Sequence, residues 1–158
     1  YYNNNSNKIK MLNISTNNKN IINKNYYEVL DIIDGDTIEI KYNNNIERVR
    51  LIGIDTPESK NPDKSKNIIQ GKTASEYMKK ILNNKLINIE FDIQERDKYG
   101  RLLLYIYLNN EMINEKLLKE GYARLATYPP NVKYVDKFIN AQKYARENNI
   151  GFWEDNIF

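Results

Sequence analysis

From Tyr26 onward, apolar residues alternate with polar ones in short runs, and each run ends on turn-forming residues. Tyr26–Ile33 reads as a strand, and Asp34-Gly35 behind it as a hairpin turn. Asp36–Tyr42 reads as the returning strand, Asn43-Asn44-Asn45 as the next turn, and Ile46–Gly53 as a third strand closed by Thr56-Pro57. After a polar loop, Ser59–Ile69, the period changes to that of a helix, with Ala74, Tyr77, Met78, Ile81 and Leu82 on one face. Leu86–Gln94 and Leu102–Leu108 read as a strand pair joined through Asp97–Arg101. Asn114 is placed to cap a short helix that ends at Gly121. A last helix runs from about Lys133 to Asn148, burying Val135, Phe138, Ile139, Gln142 and Ala145, with Gly151 beyond its end.

Five short strands interrupted by one helix and followed by two more predict an α+β domain. The architecture expected is a five-stranded β-barrel of the OB-fold type with three α-helices. Residues 1–25 break the pattern: they hold ten asparagines and no proline, without periodicity. They offer little apolar surface against the entropy of ordering and read as a disordered tail or linker before a domain spanning 26–158.

Charge changes the picture less than its total suggests. The formal net charge is +3, but the first 25 residues carry four lysines and no acid. The domain is left with 20 basic against 21 acidic residues. Attraction for a polyanion must therefore come from local clusters and a bound cation.

Two absences exclude more. With no cysteine there are no disulfides, thiol nucleophiles or cysteine-rich zinc sites. With no histidine there is no Ser-His-Asp triad, no histidine-pair ribonuclease and no histidine-activated water. A hydrolase here works with carboxylates, Arg, Lys, Tyr and a metal held by oxygen. No apolar run approaches the ~20 residues of a membrane span. The chain opens on Tyr1 without a visible signal peptide, so a segment removed before it is expected.

Three constellations carry candidate chemistry. In Asp34-Gly35-Asp36-Thr37 the turn explains one acid, whereas Asp36 opens a strand, where Asp is disfavoured. Two carboxylates so spaced can face one hard cation, or form a hairpin with a spare surface acid. An EF-hand is excluded, because the sixth and twelfth positions counted from Asp34 are Glu39 and Asn45. In Arg50-Leu51-Ile52-Gly53-Ile54-Asp55-Thr56-Pro57-Glu58, Arg50 lies in an apolar strand on the face opposite Val49 and Leu51. A half-buried guanidinium needs an anion, either phosphate or a structural pairing with Asp55. Asp97-Lys98-Tyr99-Gly100-Arg101 is an ordinary hairpin turn that also sets a phenol beside a guanidinium.

In order and spacing, the three together resemble the staphylococcal nuclease family from about Tyr27 to Trp153. The resemblance implies calcium-dependent endo- and exonucleolytic hydrolysis of DNA and RNA, single-stranded or melted, with 3′-phosphate products. It implies Asp36, Asp55 and the Thr56 carbonyl as metal ligands, with Asp34 acting through water. Glu58 matches the residue that holds or deprotonates the attacking water, Arg50 and Arg101 the two arginines on the scissile phosphate. Lys98 and Tyr99 match residues on the neighbouring phosphate.

The family's two closely spaced pocket tyrosines are replaced here by Thr127 and, with a one-residue gap, Tyr128, so weaker base stacking is expected. The loop after Glu58 is about one residue longer than the family's, and its Lys60, Lys64 and Lys66, with Lys72 beyond, either meet the backbone of a strand or stay solvated. The rival function is a catalytically silent nucleic-acid-binding module of the same fold. Such modules lose acids or arginines of the site, and here every one stands. A generic single-strand binder would need a basic groove, and a structural calcium domain would have no use for the two arginines. Secretion or cell-surface display is favoured by family habit and the lack of thiols, with a monomer and no obligate protein partner as the default.

Overall fold

The computed structural model describes residues 25–58, 69–154 and 156–158. The tail or linker proposed for 1–25 therefore lies outside the described residues except for Asn25, as do Lys60, Lys64 and Lys66.

Three strands open the domain: β1 (Tyr27–Asp34), β2 (Thr37–Tyr42) and β3 (Asn45–Leu51). Register shifts in β1 between Val29 and Asp31 let Val29 and Ile32, three residues apart, both point inward. A period of two alone would send them to opposite faces. The turn between β1 and β2 is Gly35-Asp36, with Asp34 paired to Thr37, so Asp36 sits in the turn and not in the strand. Asn43 and Asn44 take left-handed φ of 49° and 65° in the next turn, and Asn109 and Asn110 take 50° and 68° in a later one. Asparagine tolerates that region, and it matches the twist of a two-residue hairpin.

The strand expected over Ile46–Gly53 breaks at Ile52, and the chain restarts as β4 (Gly53–Asp55). Gly53 has φ +81°, and a Cβ there would lie 2.5 Å from the Phe138 ring. Helix α1 (Ile69–Leu82) buries Ala74, Met78 and Leu82, while Tyr77 and Ile81 are only partly covered. Strands β5 (Leu86–Glu90) and β6 (Leu102–Leu108) follow, β5 ending four residues short of the expected Gln94. There the main chain of Gln94 pairs instead with the Asn131 side chain, at 2.8 Å in both directions. The barrel order is β3-β2-β1-β5-β6, closed by parallel pairing of β3 with β6 through Val49–Leu102, Arg50–Leu103 and Leu51–Leu104. Its interior is filled by Ile38, Ile40, Val49, Leu51, Leu102 and Leu104, each at most 2% exposed. Such side chains contribute ~1.5–3 kcal/mol apiece.

A short β7 (Glu111–Met112) leads into α2 (Ile113–Lys119). Asn114 does not cap this helix. It is fully buried, and its amide donates to the carbonyls of Ile52 and Leu104 while its oxygen accepts from the Ile106 N–H. The residue satisfies the backbone that the break after β3 leaves unpaired. Gly121, at φ +73°, ends α2 as expected, its N–H donating to Leu118 O. Strand β8 (Arg124–Ala126) pairs with β4, and α3 (Val135–Glu147) packs with Phe138, Ala141 and Ala145 inward. Ile139, expected in the core, is 45% exposed. No helix among the described residues is long and apolar enough to cross a membrane.

Candidate active site

The break after β3 brings the first two constellations together. Asp36 is 7% exposed in the β1–β2 turn. Its Oδ1 accepts from Thr37 Oγ1 at 2.9 Å, and its Oδ2 from the Thr56 N–H at 2.9 Å and Thr56 Oγ1 at 3.1 Å. The turn is thus tied to the segment leaving β4, and Asp34 lines the same cleft.

Arg50 projects from β3 into this junction. Its Nη1 donates to the carbonyls of Leu51 and Ile54 at 2.9 and 2.8 Å. Its Nη2 lies 3.2 Å from both Asp36 Oδ2 and Asp55 Oδ1. Two carboxylate oxygens from separate elements therefore converge on one atom. Ile54, 1% exposed, anchors β4 between them.

Glu58 is exposed at the edge of the cleft. Its carboxyl is pushed above the ordinary range, first by loss of water around it and then by the charges of Asp34, Asp36 and Asp55, with Arg50 opposing. An acid so placed reports a focus of negative charge that one arginine does not cancel.

The third constellation closes the cleft. Asp97 holds its own turn: Oδ1 accepts from the Tyr99 and Arg101 N–H groups, and Oδ2 from Arg101 Nε at 2.7 Å. Gly100, at φ +82°, lets the turn close. Tyr99 is 72% exposed, with Arg101 and Lys98 against its ring at 5.5 and 5.0 Å.

Two adjoining clefts share Arg50, Tyr99 and Arg101. The first, about 660 Å³, continues over Asp34, Asp36, Asp55 and Glu58. The second, about 400 Å³, continues over Lys98, Leu103, Ala126 and Tyr128. Asp34, Asp36, Arg50, Asp55, Glu58, Lys98, Tyr99, Arg101 and Tyr128 thus line two adjoining clefts, with Thr56 present through its bonds to Asp36. Lys72 stands apart, ion-paired at 3.9 Å to Glu76 on the exposed side of α1. Sequence reasoning missed Arg124, whose Nε and Nη2 donate to Asp55 Oδ2 at 3.2 and 3.0 Å. Its only signal is a three-residue strand, too short for periodicity to show.

Among the described residues no three carboxylates form a metal cage by themselves. The donors that do converge, Asp36 Oδ2 and Asp55 Oδ1, are hard oxygens. A hard cation that accepts carbonyl and water oxygens as well fits such a set, and a soft one does not.

The sequence profile described as "Staphylococcal nuclease homologue" matches residues 48–155. The chain is 48% identical over 128 residues to the thermonuclease of Staphylococcus intermedius, covering 81% of this chain and 76% of that protein. It is 42% identical over 133 residues to the thermonuclease of Staphylococcus hyicus, covering 84% and 78%. Endonuclease YncB of Bacillus subtilis is 42% identical over 125 residues, covering 77% and 58%. On the profile match over 48–155 and these identities, the chain belongs to the staphylococcal nuclease family.

Proposed function

We propose that this protein is a nuclease that hydrolyses phosphodiester bonds of DNA and RNA, single-stranded or melted, with calcium, leaving 3′-phosphate ends. The observation that carries the reading is the convergence of Arg50, Asp36 and Asp55 on one point, with Arg101 and Glu58 on the walls of the same cleft. Carboxylates alone would repel a phosphodiester, and arginines alone would bind it without activating water.

Asp36, Asp55, the Thr56 carbonyl and, through water, Asp34 would hold calcium, which when bound would supply positive charge to offset that of the phosphodiester. Arg50 is oriented before substrate arrives, because two main-chain carbonyls fix its Nη1. Arg101 is oriented likewise by Asp97. Both present planar donors to oxygens that gain charge as water attacks, and each such donor is worth ~10²–10³ in rate. Glu58 accepts the proton of the attacking water, and loss of water around its carboxyl, with the nearby acids, raises its pKa and makes it the stronger base. The water oxygen bonds to phosphorus, the bond to the 5′ oxygen breaks, and that oxygen leaves as a 5′-hydroxyl with a proton from solvent, while Glu58 returns to solvent the proton it took. Lys98 and Tyr99 hold the next phosphate, and Tyr128 offers a ring to a base.

The test is end-group analysis of labelled single-stranded DNA and RNA digested with calcium. Fragments that a 3′-phosphatase shifts in mobility are expected from both. Fragments with 3′-hydroxyl ends would overturn the assigned bond cleavage.

A further inference from the structure

Gly71 is the third residue of α1 and is buried. Its backbone needs no glycine, since its φ is not in the left-handed region, and glycine is among the poorest helix formers. What the position lacks is room. A Cβ on Gly71 would lie 2.1 Å from Glu58 O, 2.3 Å from Glu58 C and 2.8 Å from Pro57 O. All three are backbone atoms, so no change of rotamer relieves the contact.

The same helix meets the other acid-bearing segment one turn further on. A Cβ on Gly35, in the turn that carries Asp36, would lie 2.8 Å from Ala74 Cβ and 2.7 Å from Thr56 Oγ1. Helix α1 thus presses with Gly71 on the peptide of Glu58 and with Ala74 on the turn beside Asp36. We infer that Gly71 is a positioning residue for Glu58: its missing side chain seats the Pro57–Glu58 backbone against α1. That seating fixes how far the Glu58 carboxylate stands from the Asp36–Arg50–Asp55 junction. The inference rests on the reading of Glu58 as the group that handles water. Relieving a 2.1 Å approach to the Glu58 carbonyl oxygen requires a shift of roughly 1 Å. A misplacement of about 1 Å costs on the order of 10²-fold in rate.

The test compares Gly71→Ala, Glu58→Gln and the double variant, with Gly121→Ala as a matched control. A Cβ on Gly121 would lie 2.1 Å from Ile150 O, outside the cleft. Gly71→Ala is expected to lose about 10²-fold in kcat with KM for a single-stranded oligonucleotide changed less than about threefold. Gly121→Ala is expected to lower Tm and leave the kcat of folded protein unchanged. In the Glu58→Gln background, Gly71→Ala is expected to add almost nothing, because the group it positions is already disabled. Equal losses from Gly71→Ala in both backgrounds would overturn the inference, as would a normal kcat or a chain that no longer folds. A Glu58→Gln variant with normal kcat would remove the reading of Glu58 itself, a separate failure.

Discussion

Arg124 and Asp55 are register partners across β8 and β4, and the guanidinium of Arg124 closes on Asp55 Oδ2 through both Nε and Nη2. The other oxygen, Oδ1, is left facing Arg50. The Arg124 side chain is 58% exposed, so the pair is solvated and contributes at most about 1 kcal/mol. Arg124→Ala is expected to cost less than that in urea unfolding and to lower turnover less than about tenfold, since Arg50 still holds Asp55. A loss above about 2 kcal/mol would mean that β8 depends on this pair for its place.

Arg50 is different, because it is 16% exposed and faces a nearly buried Asp36. Arg50→Lys keeps the charge but cannot serve two carbonyls and two carboxylates with one ammonium. Folding is expected to survive, while turnover falls by at least ~10². Arg50→Ala leaves a buried carboxylate without its cation and is expected to cost roughly 3 kcal/mol or more. Full activity in Arg50→Lys would remove the forked contact to phosphate from the mechanism.

Acid sensitivity has a source away from the cleft. Burial alone would raise the Glu90 carboxyl, but hydrogen bonds from Lys133, Tyr107 and Tyr134 outweigh it and hold the group below its ordinary range. Asp92 is held low in the same way, burial being outweighed by bonds from Tyr105 and the Lys133 and Ile93 N–H groups. A folded-state value below the unfolded one contributes stability that is fully present above the unfolded pKa of ~4. That stability is lost as pH falls through the folded value. Tm is expected to stay level from about pH 7 to 5 and to drop below about pH 4, with a shallower drop in Glu90→Gln. An unchanged acid slope in Glu90→Gln would place the sensitivity elsewhere.

Tyr128 is 73% exposed in the second cleft, and Thr127 beside it offers no second ring. Loss of one stacking ring is worth ~1–3 kcal/mol per base. Tyr128→Ala is therefore expected to raise KM for single-stranded substrate about tenfold or more while kcat holds. A fall in kcat at constant KM would place Tyr128 in the chemistry instead.

The parts of the site legible in the sequence are those whose signal is local. Asp34-Gly35-Asp36 announces a tight turn, and the alternation around Arg50 sends it away from Val49 and Leu51. What stayed hidden depends on partners far along the chain. Asn114 meets Ile52 across 62 positions and Arg124 meets Asp55 across 69. Asn43-Asn44 is legible as a turn, but Asn84, Asn109, Asn110, Asn149 and Asn156, which also take left-handed φ, carry no adjacent glycine to mark them. Helical period places Phe138 and Ala145 inward, as found, but also Ile139, whereas Ala141 completes the packed face that brings Phe138 against the Gly53 bend.

The most direct measurement is cleavage of heat-denatured DNA by the purified chain with calcium, with magnesium, and with chelator. Degradation with calcium, little with magnesium and none with chelator is the expected result, since magnesium demands a stricter geometry than two converging carboxylates provide. Undiminished cleavage in chelator would contradict the metal-dependent site, and no cleavage by folded protein in calcium would contradict the enzyme itself.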